Sequence, residues 1–301
     1  MHWQRQLATN EIILIDGGTG TELQRRGVPM NEIAWSGAAV LSHPEAVRDT
    51  HLAYIAAGAE VVIANTFGST RQMLEPAGYG ERVQEVNQKA IKLAIAARQA
   101  ADRPIAVAGS LSAMPPSFKR DQYLSPAEEL ACYEEAIHAQ TEAGADLIAL
   151  EMMDDTHHAK LAMQAALKSD LPIWLGISCK LNDGRLVSFG DTNLPLDEVL
   201  DCLIPLGPDV VNIMHSDVDT ITPAIKMVRE RWEGPIGVYP ESGYFTRPDW
   251  NFVDIIPPAE LAGRANAWVA DGVRLLGGCC GTGPDHIQAL RQAMPELNAA
   301  R

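Results

Sequence analysis

No apolar run in the sequence is long enough to span a bilayer, and the amino-terminal stretch MHWQRQLATNEI lacks the continuous apolar core of a secretory signal. The chain is therefore expected to be cytoplasmic, with no membrane partner. Basic clusters are missing too. With 24 Lys and Arg against 39 Asp and Glu, the formal net charge is −15, which argues against a nucleic-acid backbone or an anionic lipid surface as partner. Cysteines number only five (Cys132, Cys179, Cys202, Cys279 and Cys280), too few and too unevenly placed in 301 residues for a disulfide framework. Metal binding or thiol chemistry becomes the question for two of them. No low-complexity tract and no Pro/Gly/Ser linker divides the chain, so residues 1–301 are expected to form one domain.

What is present is an alternation of short apolar runs with helical patterns, the mark of stacked βα units around a parallel sheet. The candidate strands are EIILIDGG, EVVIANTF, PIAVAGSL, DLIALEMM, PIWLGISCK, PDVVNIMHS, PIGVYPES and VRLLGGCC. Between and after them, apolar residues recur at helical spacing over Pro44 to Gly58, Glu81 to Ala101, Pro126 to Gly144, Thr156 to Lys168, Pro195 to Leu206, Thr220 to Arg231, Pro258 to Asp271 and Pro284 to Met294. Proline opens several of these segments behind a polar residue, as in His43-Pro44 and Ser125-Pro126, and glycine closes two, Gly58 and Gly144. Eight strands, each followed by a helix, predict an α/β fold of the (β/α)8 TIM-barrel type. The open doubly wound sheet is disfavoured because DGGTGTEL does not have the GxGxxG spacing of its phosphate loop.

In such a barrel the chemistry gathers at the carboxyl ends of the strands. Those ends deliver Asp16-Gly17-Gly18, Asn65-Thr66, Ser110, Glu151, Cys179, His215, Glu241 and Cys279-Cys280. The vicinal cysteines sit within Gly277 to Pro284, where flanking glycines allow the tight backbone path that two adjacent metal ligands require. The same pair also fits two small buried residues or a strained vicinal disulfide. A zinc site needs a third ligand from another strand end, for which His215 and Cys179 are both available; a lone histidine after a strand equally serves as a hydrogen-bonded structural residue, and Cys179 as packing. Asp16 and Glu151 can bind a substrate ammonium or move a proton, or simply cap a loop. His157 and His158 read as a solvated, acidic helix start.

These residues resemble the homocysteine S-methyltransferases, a family that includes betaine- and S-methylmethionine-dependent enzymes and the homocysteine-binding module of cobalamin-dependent methionine synthase. The resemblance runs from Leu14 to about Leu290. It is carried by Asp16 to Thr21, Trp35, His43 to Val47, Ala64 to Gly68, Gly144 to Ile148 leading to Glu151, and, most specifically, Gly277 to Thr282. It implies a (β/α)8 barrel and a zinc ion held by three cysteines, one at the end of strand six and the vicinal pair. Here strand six holds no cysteine. Alignment on Val211-Asn212 puts Ile213 at the ligand position, whereas alignment on the next helix, Thr220 to Pro223, puts His215 there; the second is adopted, giving a Zn2+ site of His215, Cys279 and Cys280. A second departure is Glu241, where the family favours asparagine after Tyr-Pro. The resemblance further implies that Asp16 and Glu151 hold the amino acid's ammonium end, that backbone around Gly17 and Thr66 holds its carboxylate, and that Trp35 lies near the methyl donor.

The implied reaction is transfer of a methyl group from an onium donor to the thiol of homocysteine, giving methionine. S-methylmethionine is the preferred donor. Betaine stands behind it because Gly68 replaces the aromatic residue that betaine enzymes carry, and a methyl-corrinoid would require a separate partner protein. The competing readings are transfer to another thiol, a metal-dependent lyase or hydrolase on the same barrel with Glu151 or Glu241 as base, and a non-catalytic amino-acid-binding protein. The chain stops soon after the eighth helix, without the betaine enzymes' assembly extension, so a monomer or weak homodimer is expected.

Overall fold

The computed structural model describes residues 2–113, 124–190, 193–245 and 251–301. Eight parallel strands form one sheet. In chain order they are β1 (Ile13–Leu14), β2 (Val61–Ile63), β3 (Ala106–Ser112), β4 (Leu147–Glu151), β5 (Ile173–Ile177), β8 (Val210–Asp217), β9 (Ile236–Glu241) and β10 (Val273–Leu276), with β6 (Cys179–Asn182) and β7 (Arg185–Ser188) forming a separate antiparallel hairpin. The sheet runs β1-β10-β9-β8-β5-β4-β3-β2, and a parallel bridge between Ile15 and Val61 joins its two edges. The Asp16 amide donates to the Val61 carbonyl at 3.1 Å and the Glu60 amide to the Leu14 carbonyl at 2.7 Å, so the barrel is closed. The predicted (β/α)8 architecture is the one observed.

The period-2 alternation of the strands explains the two apolar layers. Ile13, Ile15, Val61, Ala106, Ala108, Leu147, Ala149, Trp174 and Leu275 pack inside the barrel, while their neighbours Leu14, Val62, Val107, Ile148, Leu175 and Leu276 face the helices. The helix signals are local and hold. Pro44 opens α4 (Pro44–Ala57), which ends at Gly58 with φ of 125°, and Ser125 caps α7 (Pro126–Glu142) in a reciprocal box with Glu128. No helix among the described residues is long and apolar enough to cross a membrane.

Several features escape the sequence reading, two of which shape the barrel. The helix α1 (His2–Ala8) lies at the amino-terminal end of the barrel, where Trp3 meets Trp174 edge-on with ring centroids 5.3 Å apart. The β6–β7 hairpin turns at Asp183-Gly184, both at positive φ (48° and 77°), the signature of a two-residue type I′ turn.

Candidate active site and metal centre

Two glycine-rich segments meet at the carboxyl end of the barrel. A Cβ on Gly18 would lie 2.6 Å from the Cys279 carbonyl oxygen, and one on Gly277 would lie 2.7 Å from the Asp16 carbonyl oxygen. The Asp16-Gly17-Gly18 and Gly277-Gly278-Cys279-Cys280 backbones therefore touch, at a separation only glycine permits. The Gly278 amide donates to the Asp16 carbonyl at 3.0 Å and the Cys279 amide to the Pro240 carbonyl at 2.8 Å, so the vicinal cysteines are fixed by β1 on one side and β9 on the other.

Opposite them stands His215. The β8–β9 register slips between Met214 and Asp217: three steps along β8 match the two steps from Tyr239 to Glu241, so β8 carries one extra residue. His215 takes it up with φ of 43°. The sulfur of Met214, just before it, accepts hydrogen bonds from the Met152 amide (3.2 Å) and the Ser178 hydroxyl (3.1 Å), tying β8 to the ends of β4 and β5. Phe189, following the hairpin, meets the His215 ring edge-on at 4.7 Å. His215 Nδ1 lies 3.5 Å from Cys279 Sγ, which is 4.0 Å from Cys280 Sγ.

These separations suit a metal. Ligand atoms of a tetrahedral zinc with bonds of about 2.0–2.3 Å stand roughly 3.5–3.8 Å apart. One donor atom each from His215, Cys279 and Cys280 falls within 4.8 Å of the others. Burial and neighbouring groups shift the protonation of His215 and Cys279. Burial pulls the His215 pKa down, but the Cys279 thiol and the carboxylates of Glu241 and Glu151 raise it to about 9; the Cys279 thiol is pushed well above its ordinary range by Cys280 and by burial. A divalent cation reverses both preferences, since its ligands are thiolates and neutral imidazole.

The cluster opens into a cavity of about 520 Å³ walled by Gly17, Trp35, Phe67, Glu151, Asp154, Phe189, Glu241 and Phe252, among others. Among the described residues its lining includes three carboxylates and no Lys or Arg. Burial lifts Glu151 to about 7, against the hydrogen bond donated by the Ser110 hydroxyl and the charge of His215. Asp154 rises to about 6 through burial and its neighbour Asp155. Asp16 is also pushed up by burial, although its carboxylate accepts the Ile63 amide at 2.8 Å. Buried carboxylates of this kind favour their ionised form when a cationic group is placed among them.

The sequence-predicted residues divide. Gly17, Trp35, Glu151, His215, Cys279 and Cys280 all line the cavity. Asp16 lies behind that lining, 1% exposed, where the charge of Glu151 adds to the burial that raises its pKa. The Thr66 side chain is wholly buried and staples β2 to β3: its hydroxyl donates to the Ser110 carbonyl (2.9 Å) and accepts the Ser110 amide (2.8 Å), with Asn65 and Phe67 on the cavity wall beside it. Cys179 is buried, its thiol raised to about 11 by that burial, and its amide is bonded to Ser216; it is packing. His158 is not solvated as expected. It is buried against Glu129, Nδ1 to Oε1 at 2.7 Å, while Asp155 accepts the amides of His157 and His158 and so holds the turn after β4. The sequence reading missed Phe189, which a turn at Asp183-Gly184 signals indirectly, and Asp154, which looked like part of a charged helix start.

A family model described as homocysteine S-methyltransferase matches residues 13–294. The chain belongs to the homocysteine S-methyltransferase family. Among its relatives, the homocysteine S-methyltransferase of Escherichia coli is 31% identical, with 95% of this chain and 96% of that protein covered. The selenocysteine Se-methyltransferase of Brassica oleracea is 27% identical over 95% and 90%. In structure, the metallated form of the E. coli homocysteine methyltransferase MmuM superposes with a TM-score of 0.79 at 26% identity, covering 96% of this chain and 98% of that one; its apo form gives 0.71. The family's members are methyltransferases, and this chain is an enzyme of that class.

Proposed function

We propose that the whole 301-residue chain acts as one unit that transfers a methyl group from a cationic sulfonium donor, S-methylmethionine first, to the thiol of homocysteine, with a zinc ion held by His215, Cys279 and Cys280. The observation that carries the reading is the placement of these three donors at one wall of a carboxylate-rich cavity. When bound, the ion supplies ionisation of the substrate thiol at neutral pH. The chain's own residues do the rest.

Glu151, held by Ser110 and backed by Asp16, receives the amino acid's ammonium, whose arrival favours the ionised carboxylate. Gly17, lacking a side chain, leaves its backbone open for the substrate carboxylate. Across the cavity, Trp35 stacks on Phe67 with centroids 5.1 Å apart and planes 15° from parallel, offering an aromatic face to an onium group. Two hydrogen bonds of 2.7 Å between Asn65 and Ser36 hold that segment to the end of β2. The aromatic wall excludes water and fixes donor against acceptor, which is where a displacement at carbon gains most.

Net positive donors fit better than betaine or a methyl-corrinoid. Among the described residues no Lys or Arg lines the cavity to receive betaine's carboxylate, and a Cβ at Gly68 would lie 2.7 Å from the Ala34 carbonyl oxygen, so this backbone path has no room for an aromatic side chain there. A selenol acceptor is the second reading, favoured by the selenocysteine methyltransferases of Brassica oleracea and Astragalus bisulcatus among the relatives, at 27% and 26% identity. The test is metal analysis of protein purified under reducing conditions, followed by methionine formation from homocysteine with S-methylmethionine or betaine. Near-stoichiometric zinc and turnover with S-methylmethionine are expected. Zinc-free protein that still turns over would remove the metal from the reading, and faster turnover with betaine would reverse the choice of donor.

A further inference from the structure

We propose that Glu241 supplies the metal centre with its missing negative charge from a position beside His215. The inference rests on the His215-Cys279-Cys280 site proposed above. Two thiolates and an imidazole around a divalent ion sum to zero. A neutral centre draws more electron density from a bound substrate sulfur than an anionic one, which ionises the thiol readily but blunts the thiolate as a nucleophile.

Glu241 Oε2 stands 3.2 Å from His215 Nδ1, with both side chains less than one-fifth exposed. This nitrogen is also the one that faces Cys279 Sγ at 3.5 Å. The carboxylate therefore lies on the metal-facing side of the ring, where it adds a charge of −1 next to the ion instead of only orienting the imidazole from behind. The fold builds this contact: the extra residue in β8 places His215 at positive φ, and Asp217 resumes the ladder opposite Glu241. Alternation along β9 turns Tyr239 and Glu241 to the same face, toward the cavity. Among the described residues, no other carboxylate makes an ion pair with a member of the cluster, and no Lys or Arg lines the cavity to cancel the charge.

The consequence is an energetic coupling between positions 215 and 241. In the wild type, Glu241→Gln keeps the size and hydrogen-bonding capacity of the side chain but removes its charge. In a His215→Cys background a third thiolate already provides that charge. The experiment is a double-mutant cycle read by zinc affinity, measured in competition with a chromogenic chelator, on the wild type, Glu241→Gln, His215→Cys and the double variant.

Glu241→Gln is expected to weaken zinc binding about 10- to 100-fold in the wild type, the usual range for a residue that supports a ligand. In the His215→Cys background the same change is expected to cost less than about 3-fold. Glu241→Asp, which keeps the charge, should stay close to the wild type. Cobalt-loaded Glu241→Gln should retain the thiolate-to-metal absorption of the wild type, because its ligands are unchanged. Equal losses in both backgrounds, no loss in the wild type, or an altered cobalt spectrum would overturn the proposal. A wild type that binds no zinc would bring down the metal site itself, whereas zinc binding indifferent to Glu241 sinks only the present inference.

Discussion

The two ends of the barrel solve opposite problems with the same kinds of residue. At the amino-terminal end carboxylates are matched. Glu60 accepts from Gln6 (2.9 Å) and the Leu14 amide (3.2 Å), Asp146 from Arg98 and the Val107 amide (both 2.8 Å), and Asp209 from the Ile173 amide (2.7 Å). Trp3 covers Trp174 at that end. At the carboxyl end, Asp16, Glu151, Asp154 and Glu241 are all held above the ordinary carboxylate range, with burial the first cause in each. Trp35, Met152 and His215 lie there at positive φ. One end is built for stability, and the other holds strained backbone and buried, poorly solvated carboxylates around the site.

That contrast can be broken most sharply at Cys279. Cys279→Ala should lower zinc affinity and methyl transfer by more than about 100-fold, exceeding the effect of a mere supporting residue. Its thermal unfolding, measured without metal, should stay near that of the metal-free wild type. A large loss of fold in that comparison would mean that the carboxyl end carries stability after all.

The converse change is Trp3→Ala. It removes a buried aromatic from the closed end and should cost about 3–5 kcal/mol by denaturant titration. Turnover per folded molecule should be unchanged; a variant that stays fully stable would refute the sealing role of α1.

Glu151 gives the next largest effect, through pH. Its folded pKa is about 7 against an ordinary 4.5, so the stability tied to its neutral form is fully present below pH 4.5 and is lost as pH rises through 7. The loss is about 1.4 kcal/mol per pH unit within that window, or about 3 kcal/mol in all. In Glu151→Gln this part of the slope should vanish from stability curves of the substrate-free protein, while the part belonging to Asp16 remains. Parallel curves for the two proteins would show that Glu151 is already ionised when folded.

The smallest effect is expected at Trp35. Replacing it with leucine should raise KM for the sulfonium donor by roughly 2- to 30-fold, equivalent to about 0.5–2 kcal/mol of lost cation–π attraction, with KM for homocysteine little altered. A selective rise in homocysteine KM would place Trp35 on the acceptor side.

Much of the molecule was legible because its signals are local. The segment from Pro44 to Gly58 became α4 (Pro44–Ala57), and that from Pro126 to Gly144 became α7 (Pro126–Glu142), since proline at the start and a turn residue at the end act within a few residues of themselves. Strand ends were readable for the same reason, and six of the expected site residues line the cavity. The use of the Thr66 side chain was not legible, because a polar residue after a strand can serve either a substrate or the neighbouring strand, and the position of Ser110 chooses. His158 misled because its partner Glu129 lies 29 residues away on α7.

The sequence by itself determined the eight βα units, the barrel, and the identity of the cysteine pair and the candidate histidine. These follow from periodicity, from capping and from glycine's lack of a side chain, all properties of short segments. The tertiary structure alone decided that His215 and Glu241 meet. A single extra residue in β8 leaves its apolar pattern intact up to Met214, so the slip that turns His215 toward the cysteines becomes visible only against the register of β9. Closure of the barrel then brings residue 16 against residues 277 and 278, joining the two ends of the chain's pattern into one site.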